Sequence, residues 1–272
     1  MLLPGGVWRN GEWLREFAFE PLTGAIELAL ATIGEPGRSR PEKVTAALAA
    51  ALREVGGSPA TPESVRRLTI ADRQFLTRQL AAQLGRDGLW LTARCGHCDA
   101  HYDFYVEQSI LPAKQGRADS PYVTVETSRG RCRLRLPTGA DQEAVAALDE
   151  PDGALAALVE RCLVAVGESE VDAEDGMRPP FDDDDLERID RALEEAAPEV
   201  TLWVQAACPE CAGINQVWVD PYACLEDGGE LFVEIHQLAM GYHWSESDIL
   251  SLTPARRRLY LRLLDAERKL VQ

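Results

Sequence analysis

Residues 89–107 read LWLTARCGHCDAHYDFYVE, and residues 201–220 read TLWVQAACPECAGINQVWVD. In each, a Leu-Trp pair is followed by four residues, a Cys-x-x-Cys, and then an aromatic-bearing stretch. The first alternates: Leu89, Leu91 and Ala93 fall on one side, and Tyr102, Phe104 and Val106 on one side of the return. Alternation on both flanks predicts a β-hairpin with CGHC at its tip. The second stretch repeats the pattern with CPEC at the tip, which suggests a short internal duplication.

A Cys-x-x-Cys on a hairpin tip aims two thiolates at one point. Two such pairs complete the tetrahedral donor set that zinc prefers. Cys95, Cys98, Cys208 and Cys211 are therefore the candidate metal ligands. The pairs lie more than a hundred residues apart, so the site forms only when both hairpins meet in the fold. The competing reading is two unrelated, metal-free turns. A redox pair would open a helix to lower its thiolate pKa, and neither pair precedes a helical pattern. Iron–sulfur ligation stays open, since four cysteines also suit it. His97 and His101 are alternative ligands in a Cys₃His set. A closed Cys₄ set leaves no position for water or substrate, so the expected Zn²⁺ is structural.

Outward from the hairpins, the elements are mainly helical. Glu12 to Glu20 is strand-like, and Ala25 to Thr32 reads as a short helix after the turn at Pro21 and Gly24. Residues 42–55 place Val44, Leu48 and Leu52 four apart, which predicts a helix ended by Gly56 and Gly57. Thr61-Pro62 and Thr69 are helix starts, and the helix from Ile70 to Leu84 stops at Gly85. Residues 122–127 and 131–136 predict a second hairpin. Helices are expected over 141–148, capped by Thr138 or Asp141, and over 153–166. Past the acidic segment, helices are expected over 186–197, 229–241, from Ser245 and from Thr253. The last carries an apolar stripe of Leu259, Leu263, Ala266 and Leu270. The fold class expected is α+β: mostly helical, with short antiparallel hairpins and one zinc-ribbon-like site built from two knuckles. Its regions are 1–88, a strand and helices; 89–165, the first knuckle, second hairpin and helices; 166–185, an acidic flexible linker; 186–225, a helix and the second knuckle; and 226–272, a helical module.

The formal net charge is −17 at pH 7. Residues 166–200 carry 14 Asp/Glu against 3 Arg, while the last twenty carry 6 Arg/Lys against 2 Asp/Glu. An acidic chain is a poor nucleic-acid binder, because phosphate contacts need a basic surface. Arg94 is the only Lys or Arg in the two knuckle segments. The acidic run reads as a solvated linker or as a docking strip for a basic partner. Four successive aspartates at 182–185 cannot all point at one cation. Cys132, Cys162 and Cys224 sit singly among apolar neighbours and read as small buried hydrophobes. An odd cysteine count, no basic n-region before an apolar run at the start, and no stretch long enough to span a bilayer give a cytoplasmic expectation without membrane contact. No P-loop, nucleophile elbow, HExxH or dinucleotide turn is present. His236 and His243 flank a helix end and read as packing residues. No catalytic residue is assigned, and the chain is expected not to be an enzyme.

Several segments are familiar together. LPGGVWRNGEWLREFAFEPLTGAIE (3–27), VTAALAAALREVGG (44–57), VRRLTIADRQFLTRQLAAQLG (65–85) and LRLPTGADQEAVAAL (134–148) resemble the baseplate hub assembly chaperones of contractile phage tails. EIHQLAMGYHWSESDILSLTPARRRLYLRLL (234–264) resembles a module of extracellular contractile injection systems. The resemblance implies an assembly factor for such a phage-tail-like particle, with baseplate, tape-measure or tail-tube proteins as partners. The alternative it leaves is a structural subunit retained in the mature baseplate.

Overall fold

The computed structural model describes residues 1–271 apart from 34–36, 118–119, 149–152, 168, 171–180 and 226–228. The first part holds β1 (Leu2–Arg9), β2 (Glu12–Phe19), α1 (Gly24–Ile33), α2 (Arg40–Ala51), β3 (Leu52–Val55), β4 (Ser58–Pro59), α3 (Pro62–Arg66), α4 (Ile70–Leu84), β5 (Gly88–Arg94) and β6 (His101–Glu107). After the short β7 (Ala113–Lys114) come β8 (Tyr122–Thr127), β9 (Gly130–Arg135), α5 (Gly139–Ala146), α6 (Ala154–Cys162), β10 (Leu163–Val166), β11 (Ser169–Glu170), α7 (Asp183–Ala196), β12 (Glu199–Val200), β13 (Trp203–Ala207) and β14 (Ile214–Trp218). The chain closes with α8 (Gly229–Tyr242), α9 (Glu246–Leu250) and α10 (Pro254–Val271).

One order of elements thus runs twice among the described residues: hairpin, two helices, hairpin, helix, cysteine hairpin, with the short α3 preceding that last helix in the first unit. Each unit builds a four-stranded antiparallel sheet, β1-β2-β3-β4 in the first and β8-β9-β10-β11 in the second. The sequences match in short blocks. Thr23-Gly24-Ala25 and Thr138-Gly139-Ala140 open α1 and α5, and Val55-Gly56-x-Ser58 and Val166-Gly167-x-Ser169 form the turns after β3 and β10. From the caps of α4 and α7 through the cysteine hairpins, each residue of unit 2 lies 113 positions after its counterpart.

The longer helices anchor their units alike. In α4, the Thr69 hydroxyl accepts from the Asp72 N–H at 3.2 Å, and Gly85 ends the helix in the left-handed region at φ 70°. Both features satisfy end groups that a helix leaves open. Asp72 is wholly buried and accepts from the N–H groups of Gly5 and Gly6 in β1 at 2.8 and 3.0 Å. Its counterpart Asp185 in α7 is also wholly buried and accepts from the Ser128 N–H, at the turn between β8 and β9, at 3.0 Å. One buried carboxylate per unit therefore pins helix to hairpin. Behind it, Leu76, Leu80 and Leu84 of α4, and Ile189, Leu193 and Ala196 of α7, face the cores.

The tail repeats one piece of unit 1. Ser245 caps α9 as Thr61 caps α3, each hydroxyl accepting from the N–H three residues on. Ile249 and Val65 are both fully buried. Each short helix turns through Leu-Thr into a longer one, α10 after Leu252-Thr253 and α4 after Leu68-Thr69. The Gly139 N–H donates to the Leu68 carbonyl at 3.1 Å, and the Gly24 N–H to the Leu252 carbonyl at 3.0 Å. The elbow of unit 1 thus seats on the first helix of unit 2, and the C-terminal elbow seats on the first helix of unit 1.

Helix takes 46% of the chain and strand 29%, so the mix of helix and antiparallel sheet holds but "mostly helical" overstates it. The difference has named sources. The helices expected over 42–55 and 153–166 end early, at Ala51 and Cys162, and their last four residues, LREV and LVAV, are strands. Leu52 and Leu163 fit a helical apolar face, yet each adopts extended backbone to pair with β2 or β9. Gly56 (φ 57°) and Gly57 (φ 70°) then turn β3 into β4 rather than capping a helix. β1 was not foreseen: its Gly5 and Gly6 disguise a strand whose register shifts against β2. The linker expected over 166–185 is corrected at its edges. Val166 and Ser169–Glu170 are in strands, Phe181 lies in the unit 2 core, Asp182 caps α7, and α7 begins at Asp183 rather than 186. Residues 168 and 171–180 of that linker lie outside the described residues, as does the Cys224 side chain. Cys132 and Cys162 are fully buried, as expected.

Candidate metal centre

The two cysteine hairpins form in register. Leu89, Leu91 and Ala93 pair with Val106, Phe104 and Tyr102 across β5 and β6. Trp203 pairs with Trp218 and Ala207 with Ile214 across β13 and β14. The inner faces pack together through Ala93, Tyr102 and Ala206, with Phe104 and Val217 at the margin.

Each tip is the same turn. The Cys95 N–H donates to the Ala100 carbonyl at 2.9 Å and the Asp99 N–H to the Cys95 carbonyl at 3.0 Å. The Cys208 N–H donates to Gly213 and the Ala212 N–H to Cys208, both at 2.9 Å. The residue after each second cysteine is left-handed, Asp99 at φ 66° and Ala212 at φ 58°. This geometry throws both thiols of a tip to one side.

The four sulfurs converge, all within 4.8 Å of one another. Cys95 Sγ is 3.6 Å from Cys211 Sγ, and Cys98 Sγ is 3.7 Å from Cys208 Sγ. Sulfurs bound to one tetrahedral zinc stand about 3.8 Å apart, so the set can hold a metal ion. No other group of three or more Cys, His, Asp or Glu side chains fit to hold one occurs among the described residues. His97 and His101 lie outside the set: the exposed His97 ring approaches the Ile214 carbonyl at 3.4 Å, and His101 is exposed opposite Arg94. His236, mid-way along α8, and His243, just past its end, are both exposed and belong to no metal-holding group among the described residues.

The thiols are poised unequally: Cys95 lies below its ordinary value, and Cys98 and Cys211 lie above theirs. Burial raises the Cys95 thiol, but N–H groups of His97 and Cys98 and the Asn215 amide outweigh it and bring it down to about 6. Cys98 is lowered by the Ala100 N–H, yet Cys211, burial, Cys208 and Cys95 together push it up to about 12. Four thiolates in one place repel one another, and a cation among them removes that penalty.

Sequence reading missed Asn215. It accepts from the Gly96 N–H at 2.9 Å, its amide donates toward Cys95 Sγ at 3.6 Å, and it donates to its own Gly213 carbonyl at 3.0 Å. A residue of the second hairpin thus braces the first tip, and an isolated Asn on a strand gives no sequence signal for this. On the outer faces, Trp90 packs on Tyr105 at 5.5 Å, and Trp203 stands opposite Trp218, all four exposed. These are equivalent positions, Trp90 with Trp203 and Tyr105 with Trp218. No helix of the described residues is long and apolar enough to cross a membrane.

Comparison with known proteins gives no further assignment: no protein family, no curated protein and no solved structure matches this chain.

Proposed function

We propose that this protein is a non-enzymatic assembly factor, a chaperone for the baseplate hub or tail of a contractile, phage-tail-like particle, stapled by one structural zinc ion. The observation that carries the zinc assignment is the convergence of four cysteine sulfurs from two hairpin tips. Such a set is full with four ligands, which suits a folding role rather than catalysis. The two packed hairpins then form a zinc-ribbon-like unit. The assembly role rests on the sequence resemblance, which covers 1–165 and 200–265, and it is supported by the surface chemistry. Exposed aromatic pairs on both hairpins, Trp90–Tyr105 and Trp203–Trp218, suit contact with other proteins. The strongly acidic balance suits basic clients and disfavours nucleic acid.

The test has two parts. Elemental analysis of protein purified without added metal should find zinc at one ion per chain; iron or no metal rejects the assignment. Mass spectrometry of assembled particles from a cell expressing the surrounding gene cluster should find this chain absent or far below stoichiometry, while pulldown from the same lysate recovers a baseplate, tape-measure or tube protein. Stoichiometric presence in the mature particle would instead establish the alternative, a resident baseplate subunit.

A further inference from the structure

Between α4, α6 and α7 lies an open groove of about 360 Å³. Its floor is aliphatic, including Leu155, Leu158 and Leu193, and its rim carries Asp190, Glu194 and Glu199. No Lys or Arg lines it among the described residues. Leu155 is 42% exposed, whereas its counterpart in α2, Val44, is 1% exposed.

At the twin position in unit 1, Val44 lies in a core against which Tyr222 and Leu225 pack. There α10 stands to unit 1 as α4 stands to unit 2, and Arg258 at its start donates to the Leu84 carbonyl at the end of α4, at 2.6 Å. At the equivalent place in unit 2 the chain has the uncharged Gln74. The aliphatic floor stays open, and the three carboxylates face no cation in its lining.

The chain carries one surface that complements this one. On the outer side of α10, Leu259 and Leu263 are 47% and 48% exposed, flanked by the exposed Arg256 and Arg262. The helix packs inward through Arg257, Tyr260, Leu261 and Leu264 instead. We infer that the outer face of α10 from a second copy docks in the α4–α6–α7 groove, its leucines on the floor and its arginines against Asp190, Glu194 and Glu199. Groove and helix lie on different parts of the molecule, so the contact is head-to-tail. It joins an apolar strip to opposite charges, a helix-in-groove contact that weakens as salt screens it. The inference does not depend on the assembly role or on the identity of the metal.

The experiment is sedimentation of the full chain over a concentration series at low and high salt. Concentration-dependent self-association that falls at high salt is expected. Arg262→Glu and Glu194→Arg should each weaken it at least tenfold while leaving the melting temperature unchanged, since both side chains are at the surface. Because the complementary surfaces are then both altered to match, the double variant Arg262→Glu/Glu194→Arg should regain association. Leu263→Glu should abolish it. A chain that is monomeric throughout overturns the inference and leaves the groove to a basic helix of another protein. Association that Leu263→Glu and both single variants leave intact overturns it as well.

Discussion

Arg257 packs its guanidinium against Gly24 as Arg73, 184 residues earlier, packs against Gly139. Both arginines are wholly buried, and both glycines open a helix. A Cβ on Gly24 would stand 2.9 Å from Arg257 Nη1, and one on Gly139 would collide with the Arg73 guanidinium outright. The partners differ. Arg73 donates to the Thr45 hydroxyl at 2.8 Å and the Pro41 carbonyl at 2.7 Å. Arg257 donates to Glu234 at 2.8 Å, to the Leu252 carbonyl at 3.0 Å and to Glu27. One elbow joins the two units, and the other closes the tail onto the first.

Arg257→Ala should therefore loosen the tail selectively. It removes the cation that Glu27 and Glu234 share, leaving them Arg86 at 3.8 Å and Arg258 at 3.9 Å respectively. The cost should therefore stay below that of a fully broken buried pair, about 3–5 kcal/mol. Hydrogen exchange should speed up in α8, α9 and α10 and stay slow in α5 and α7. Uniform acceleration across both units would show that the tail is not a separable docking element.

Cys95→Ser and Cys208→Ser should each lose the bound metal and most of the soluble protein. Metal binding contributes on the order of 10 kcal/mol in isolated zinc peptides, comparable to a typical domain's whole net stability of about 5–15 kcal/mol. A strong chelator should lower the melting temperature of the wild type by the same route. Either variant retaining one metal per chain and a wild-type melt would rule out the four-cysteine site.

Ala212→Gly should stabilise the second tip. Alanine at φ 58° carries the left-handed penalty of about 1–2 kcal/mol that glycine avoids. Asp99 occupies the equivalent place at φ 66° and tolerates it better, so Asp99→Gly should gain less. Thermal melts of the metal-loaded variants compare the two, and equal or opposite shifts would contradict the strain argument.

Phe181→Ala should cost about 3–5 kcal/mol. The ring is buried in the unit 2 core, and the Arg129 guanidinium lies 4.0 Å from its centroid. Chemical denaturation measures this, and a loss below about 1 kcal/mol would restore the view that 181–185 belongs to a dispensable linker.

That segment shows where sequence reading ends. Four aspartates in a row look like solvated chain, yet Asp182 caps α7 through the Asp185 N–H, and Asp185 is a buried anchor, a role set by contact with Ser128 far away. The two cysteine hairpins, the β8–β9 hairpin, the caps at Thr61 and Thr69 and the stop at Gly85 were legible because local chemistry decides them. LREV and LVAV were not, because pairing with a distant strand overrides a helical apolar pattern. The repeated unit showed only at its cysteine tips. Its other matches are three or four residues long and sit at different spacings, so insertions hide them until the sheets are compared. At the site, all four thiols were readable from spacing, while Asn215 is identified by contact alone. The stripe of Leu259 and Leu263 was correctly seen as apolar, but it faces outward; the tail packs through the adjacent face.

Acid and neutral pH should stress different anchors. Burial pushes the Asp72 carboxyl up to about 6, against the hydrogen bonds from Gly5, Gly6 and Thr69. Burial also raises Asp141 and Asp185, but there the opposing contacts win: Arg135 and Thr138 hold Asp141 below its ordinary value, and Ser128 and Arg188 hold Asp185 below its own. The unfolded value for all three is 3.8. A raised pKa contributes stability that is complete below 3.8 and lost as pH climbs through about 6. The depressed pair contribute above 3.8 and lose that contribution as pH falls through their lowered values. For Asp72 a shift of about two units is worth roughly 3 kcal/mol. Asp72→Asn does not titrate, so wild-type stability minus variant stability should shrink by up to that amount between about pH 4 and pH 7. Effects common to both proteins, including acid loss of metal, cancel in the difference. Urea unfolding across that range measures it, and a difference that does not change with pH would mean that Asp72 stays ionised in the fold, its three hydrogen bonds outweighing its burial.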